Sequence, residues 1–311
     1  MSPLFSITIP AFKAAFLREA ITSVCQQSYE NWELIVLDDA SPEDIKSVVC
    51  GFNDSRIKYF CNEKNTGALN VVDNWNKCLG LCQGEYVICM GDDDMLLSCA
   101  LEEYVKLMQE YPGLNVYHGL TDVVNERGEI IGHQRIRPKY QTAEELILHR
   151  WQGDIQFIGD FCYRTEHLRR QGGYYKLPLA WASDDITAIR AAEDGGIANT
   201  QVPCFLYREN GLTISSSRNN GVKLDAKACE KQWYVSFFKR HPGVSRELFP
   251  VAFDDWFRGQ IGLHLQQYFE ESLWNLFDAL RKGRALDVDK RSIIANRRYY
   301  AYGRFCYGIY T

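Results

Sequence analysis

Residues 85–96 read E-Y-V-I-C-M-G-D-D-D-M-L, a strand-like apolar run that stops at three aspartates and then returns to apolar residues. Two carboxylates about 4 Å apart repel by about 4 kcal/mol at an effective dielectric near 20, so an acidic cluster fixed by structure calls for a cation, a proton or water. Similar runs precede this one at F-S-I-T-I (5–9), E-L-I-V-L (33–37) and I-K-Y-F (57–60), and N-V-Y-H (115–118) follows it. Between the first two, Leu17, Ile21 and Val24 recur at helical spacing, as do Val71, Val72, Trp75, Cys78, Leu79 and Cys82 ahead of residue 85. The alternation predicts an α/β fold, a mainly parallel sheet with helices on both faces. Near-continuous apolar strands agree with burial on both sides.

Ligands of such sheets bind outside the carboxyl ends of the strands. The exits here are Pro10-Ala11-Phe12-Lys13, Asp38-Asp39-Ala40-Ser41 and Gly91-Asp92-Asp93-Asp94. No G-x-G-x-x-G or G-x-x-x-x-G-K-[ST] follows any strand, so bound phosphates would need a metal rather than a glycine cradle. Mg²⁺ and Mn²⁺ prefer carboxylate and phosphate oxygens, and a cation bridging an exit aspartate to a diphosphate would answer the acidic cluster. The plain alternative is a solvated acidic turn that caps the helix expected near Leu101. Asp38-Asp39 divides in the same way: a carboxylate for a nucleotide base or ribose, or a turn with Ser41 as helix cap.

The chain has 311 residues, room for one large domain or two modest ones. Hydrophobic residues at 46% and charged ones at 24% are ordinary for a globular protein. Apolar runs such as L-I-V-L (34–37) are far short of the roughly 20 residues that span a bilayer. The N-terminus has no secretory pattern, so a cytoplasmic location is expected. Eleven cysteines without a C-x-x-C pair fit reduced thiols. The six histidines are dispersed, which leaves a hydrolytic triad without support.

Five stretches together resemble the large inverting nucleotide-sugar glycosyltransferase family of the family 2 type, with the GT-A fold. They are F-S-I-T-I-P-A-F-K, S-V-C-Q-Q-S-Y-E-N-W-E-L-I-V-L-D-D-A-S, N-E-K-N-T-G, G-E-Y-V-I-C-M-G-D-D-D and Y-R-E-N-G-L-T-I-S, in the family's order from residue 5 to about 215. The resemblance implies a glycosyltransferase domain over 1–220, with a nucleotide-binding half to about 115 and an acceptor half from 116. It implies transfer of a sugar, with inversion, from a nucleoside diphosphate, UDP being the expected one. The acceptor would be a saccharide or lipid-linked saccharide, as in cell-surface polysaccharide synthesis, and Mn²⁺ or Mg²⁺ the cofactor.

Carried over by residue, Pro10 and Phe12 border the nucleotide, Asp39 holds the base and Asp93 is the metal ligand. Asp92 stands beside it, and Asp94 is a second metal candidate, because Gly91 departs from the commoner D-x-D-D pattern. The family's catalytic base is an Asp six residues before an Arg, usually preceded by Glu. Asp184 precedes Arg190 by six, but Ser183 replaces the Glu, so Asp185 is a rival. Without the resemblance, both are first-turn charges of a helix opened by Ser183 and closed at Gly195. The rival functions are a catalytically silent nucleotide-sugar-binding relative and a sugar nucleotidyltransferase, though the latter would want a glycine-rich basic loop where Pro10-Ala11-Phe12 stands.

From about 222 the pattern turns helical, and Leu265, Tyr268, Phe269, Leu273, Leu276, Phe277 and Leu280 form one apolar stripe. Residues 281–311 hold eight Lys/Arg against two Asp/Glu, so the first 280 carry −11 of the chain's −5. An acidic body argues against nucleic acid as a partner. The basic, aromatic tail is expected to dock on an anionic membrane surface, or else to pack on the body or pair two subunits as a homodimer.

Overall fold

The computed structural model describes residues 2–211, 220–241, 253, 255–263 and 267. The chain divides into two compact units, Met1–Ile214 and Ser215–Thr311. The stripe over 265–280 and the basic tail lie outside the described residues.

The first unit opens with β1 (Phe5–Ala11), α1 (Leu17–Cys25), β2 (Trp32–Asp38), α2 (Ile45–Cys50), β3 (Ile57–Cys61), α3 (Val71–Leu81) and β4 (Tyr86–Cys89). Every residue of β2 is buried, as the continuous apolar run requires of a strand covered on both faces. Leu17, Ala20, Ile21 and Val24 form the buried stripe of α1. β1 pairs in parallel with β2 and β4, and β2 with β3. This half is the parallel sheet expected from the sequence.

The second half adds β5 (Met95–Leu96), α4 (Ala100–Glu110), β6 (Val116–Val124), β7 (Ile130–His133), β8 (Tyr140–Gln141), α5 (Ala143–Trp151), β9 (Phe161–Arg164), α6 (Thr165–Arg170), α7 (Ser183–Ala192) and β10 (Ile197–Arg208). The strand order is β3-β2-β1-β4-β9-β6-β10-β5, with β7 on β6 and β8 on β10. β9 is antiparallel to both its neighbours, β4 and β6. Two reversals leave β6 and β10 running with β1 to β4, so six strands deliver their carboxyl ends to one edge of the sheet.

Register then aligns the exits. Ala11 pairs with Asp38, whereas β4 pairs only as far as Thr8 with Cys89. Residues 90–94 therefore pass beside the end of β1. The turn before α7 reaches the same edge, because the short 3-10 turn Pro178–Ala180 packs against Ala68–Asn70, which follows β3. In the second unit, α8 (Asn220–Arg240) buries Trp233, Tyr234 and Phe237, and Tyr234 meets Phe253 and Trp256 edge-on. No helix among the described residues is long and apolar enough to cross a membrane.

Two helix starts differ from the sequence reading, and a third agrees with it. Asp44, not Ser41, caps α2, accepting from the Ser47 N–H at 3.0 Å. No acidic side chain caps α4, whose cap is Cys99. Ser183 is the first residue of α7, and the cap position is Ala182, in the left-handed region at φ 68°.

Candidate active site

At the end of β2, Asp38 and Asp39 face different partners. Asp38 accepts from the Ser41 N–H and the Tyr59 hydroxyl, at 2.8 and 2.7 Å. Asp39 collects donors from the segment after β3: Asn62 Nδ2 at 2.7 Å, Asn65 Nδ2 at 3.1 Å, and the N–H and hydroxyl of Thr66 at 2.9 and 2.5 Å. Burial alone would raise this carboxyl, but these hydrogen bonds outweigh it and hold Asp39 below the usual carboxylate range. Asn74 on α3 accepts from both Asn62 and Thr66 at 2.9 Å and closes the network.

The three aspartates after β4 take three roles. One oxygen of Asp92 accepts the N–H groups of Phe12 and Lys13, both at 2.7 Å, so it fixes the exit of β1. Burial holds its carboxyl above the ordinary range despite those donors. Asp94 is 3% exposed and accepts main-chain N–H groups of Arg208 and Gly91, at 3.0 and 3.2 Å. Burial and the neighbouring Asp93 push it well up. Each of its oxygens thus accepts a main-chain N–H, one from the turn and one from β10. Asp93 is half-buried, and its Oδ2 accepts from Asn210 Nδ2 at 2.9 Å. A side chain at Gly91 would meet carboxylate oxygens of Asp93 and Asp94 at 2.8 Å, the physical reason for glycine at that position.

The end of β10 locks this turn. Arg208, 1% exposed, donates from Nε to the Asp93 carbonyl at 2.9 Å and from Nη1 to the carbonyls of Asn125 and Glu126 at 3.3 and 3.0 Å. Its Nη2 reaches Glu19 at 2.6 Å, and its guanidinium lies 4.3 Å over the Phe16 ring. Among the described residues, no group of three or more His, Cys, Asp or Glu could hold a metal ion alone. The chemistry of a half-buried carboxylate such as Asp93 fits Mg²⁺ or Mn²⁺, which are commonly held by one or two carboxylates plus the phosphates of a substrate.

The start of α7 carries Asp184 and Asp185. Asp185, 2% exposed, is flanked by the guanidinium of Arg150 on α5, whose Nε lies 2.9 and 3.0 Å from its two oxygens. Asp184 Oδ1 accepts the N–H of Asp185, at 3.0 Å. Loss of water around its carboxyl, with the Asp185 charge adding to it, pushes Asp184 up to about 8, while Arg150 pulls the other way. Ser183 is fully buried and its hydroxyl accepts from the Leu177 N–H at 3.1 Å, a turn-closing role. Leu179, Ala180 and Ala182 of that turn have φ of 58°, 54° and 68°, each costing on the order of 1 kcal/mol in a residue with a Cβ.

Asp39, Asp92, Asp93 and the Pro10–Phe12 exit thus share one sheet edge, as the sequence places them, and the turn ahead of Asp184 packs at the same edge. Missed by sequence reasoning are Thr66, Asn210, Arg208 and Arg150. The first three stand inside the quoted stretches N-E-K-N-T-G and Y-R-E-N-G, where they could have been singled out. Nothing near residue 150 flags Arg150.

Comparison with known proteins gives a consistent set of likenesses. The family model described as glycosyl transferase family 2 matches residues 6–171. An Escherichia coli protein named UDP-Glc:alpha-D-GlcNAc-diphosphoundecaprenol beta-1,3-glucosyltransferase WfgD is 26% identical over 235 residues, 75% of this chain and 85% of that one. An uncharacterized glycosyltransferase of Haemophilus influenzae is 30% identical over 259 residues, 78% and 76% of the two chains. The crystal structure of S. aureus TarS 1–349 in complex with UDP-GlcNAc superposes with a TM-score of 0.58 at 18% identity, over 85% of this chain and 81% of that one. At that identity the likeness speaks for the fold alone.

Proposed function

The chain belongs to glycosyl transferase family 2 and is a glycosyltransferase, and on that premise we propose that it moves a sugar from a UDP-sugar to a lipid-linked saccharide, with inversion at the anomeric carbon. The observation that carries this reading is the split between the two aspartates of α7. Arg150 takes Asp185, whereas Asp184, in the first turn of α7, keeps a raised proton affinity. A base poised near the working pH combines an available lone pair with a real driving force for proton transfer.

In this reading the acceptor oxygen attacks the anomeric carbon while Asp184 takes its proton, and the bond from that carbon to the diphosphate oxygen breaks with its electron pair leaving on UDP. No covalent intermediate is needed. Asp39 accepts a hydrogen bond from the base, a role supported by its depressed proton affinity. Asp92 holds the loop of Phe12 against the nucleotide. A divalent cation on Asp93 and the donor phosphates would neutralise charge on the departing diphosphate. A lipid-linked acceptor is favoured because the E. coli relative is named for one. This choice also gives the basic tail a surface to meet, although that tail lies outside the described residues.

The test is a panel of UDP-sugars in thermal shift with Mn²⁺, Mg²⁺ or chelator, followed by transfer assays on undecaprenyl diphosphate sugars. A cation-dependent shift with one donor and transfer to the lipid-linked acceptor are expected. A shift of equal size in chelator would remove the metal, and transfer to free saccharides only would remove the lipid.

A further inference from the structure

Two helices far apart in sequence meet beside Asp184. α5 is opened by a capping box, with Thr142 and Glu145 exchanging side-chain and main-chain hydrogen bonds, and its last turn carries Arg150. Arg150 Nη1 donates to the Asp154 carbonyl at 2.9 Å, which fixes the guanidinium before it reaches α7. Its Nε then sits between both oxygens of Asp185. Asp185 in turn donates its own N–H to Asp184 Oδ1. The N–H that reaches the Asp184 carboxylate from outside its own residue thus belongs to Asp185, whose side chain is held by the Arg150 guanidinium.

We propose that Arg150 and Asp185 are a positioning pair for the base, aiming the Asp184 carboxylate and placing one charge of each sign beside it. The proposal rests on the assignment of Asp184 made above. Neither residue touches the reacting atoms. A first-turn aspartate is ordinarily satisfied by the helix dipole and solvent, worth about 0.3–1 kcal/mol. Asp185 instead is almost fully enclosed and answered by a cation from another helix, an arrangement that surface dipole charges do not need. An enclosed ion pair adds little net stability compared with apolar packing, so retention of this one points to a task at the neighbouring carboxylate.

Among the described residues, the charged and titratable groups facing Asp184 are Asp185 on its own helix, Arg150 from α5 and Tyr163 from β9, whose buried hydroxyl has no hydrogen-bond partner among them. Arg137 is buried, and Asp160 and Asp154 act on it more strongly than Asp185 does. Asp185 opposes ionisation of Asp184 and Arg150 favours it. Removing one or the other must move the titration of Asp184 in opposite directions, which a purely structural pair would not do.

The experiment is an infrared pH titration of the full chain without donor or metal. For each protein, the spectrum of the same protein carrying Asp184→Asn is subtracted, which isolates the Asp184 carboxyl. Asp185→Asn should lower the midpoint by about one pH unit, a tenfold change in the ionised-to-protonated ratio. Arg150→Met should raise it, and Arg150→Lys, which keeps the charge, should stay near wild type. If Arg150→Met does not fold, the Arg150→Met/Asp185→Asn chain removes both charges of the pair, and its midpoint must lie above that of Asp185→Asn alone. Midpoints that stay fixed, or move the same way in both variants, overturn the pair. Full turnover in Asp184→Asn would overturn the base assignment instead, with the titration shifts left standing.

Discussion

Thr66 meets Asp39 twice, through its N–H at 2.9 Å and its hydroxyl at 2.5 Å, and so ties the segment after β3 to the end of β2. The carboxylate proposed to hold a nucleotide base is the same group that orders the loop beside it. Its proton affinity is depressed in the folded chain. The stability it contributes is therefore complete above the unfolded value near 4 and drains away as pH falls through the lower folded value. In Asp39→Asn the loss of melting temperature below about pH 4 should be shallower than in wild type. UDP should bind it more weakly by about 2 kcal/mol, the scale of a hydrogen bond to a charged group, as read by calorimetric titration. An unchanged acid slope would contradict the first part, and unchanged UDP affinity the second.

Asp93 is the one aspartate of its trio whose bond partner is a side chain, Asn210. A donor at 100 times its dissociation constant stabilises the chain by about 2.7 kcal/mol. With a matched UDP-sugar, Mn²⁺ should therefore raise the melting temperature by several degrees and chelator should erase the gain. Asp93→Asn should show the same melting temperature in both conditions. Asn210→Ala should keep a reduced Mn²⁺ response, because the ligand remains while its support is gone.

Asp184→Asn should lower transfer by about 10²- to 10⁴-fold, the usual contribution of a positioned base, while UDP-sugar binding stays close to wild type. Its stability should move the other way. From about pH 4 to about 8 the native chain retains a proton that the unfolded chain has released, so wild-type stability falls as pH rises through that window. The Asn variant, with no charge to desolvate, should melt with wild type below pH 4 and above it at pH 8. A lower melting temperature at pH 8 would contradict the assigned direction.

Arg208 satisfies three carbonyls and an acidic side chain from its enclosed position. Arg208→Leu would leave acceptors without donors, at about 1–3 kcal/mol for each that water does not reach. A loss of about 3 kcal/mol in urea denaturation is expected, together with loss of the Mn²⁺ response, since Asp93 is among the residues released.

The strands and their exits are legible in the sequence because burial on both faces writes itself as uninterrupted apolar runs, and Asp39 and Asp93 stand directly after two of them. Their partners are less legible. Thr66 lies 27 residues from Asp39, Asn210 lies 117 from Asp93 and Arg150 lies 35 from Asp185, and only folding brings each pair together. The turn before α7 leaves no trace at all. Glycine would announce left-handed backbone, but Leu179, Ala180 and Ala182 adopt it without one. The antiparallel β9 is equally silent, because F-C-Y-R is short and its place depends on which edges are open when it arrives.

That place has a consequence during synthesis. β4 is complete at Cys89, yet the strand that covers its outer side is Phe161–Arg164. A chain emerging from the ribosome thus carries a parallel sheet with a bare apolar edge for several seconds, the time taken to make the intervening residues at ordinary translation rates. Unpaired edges are templates for joining other chains. Slow codons between 90 and 160, or a shortage of chaperones that shield nascent strands, should reduce the yield of soluble protein more than the same delay placed after residue 164.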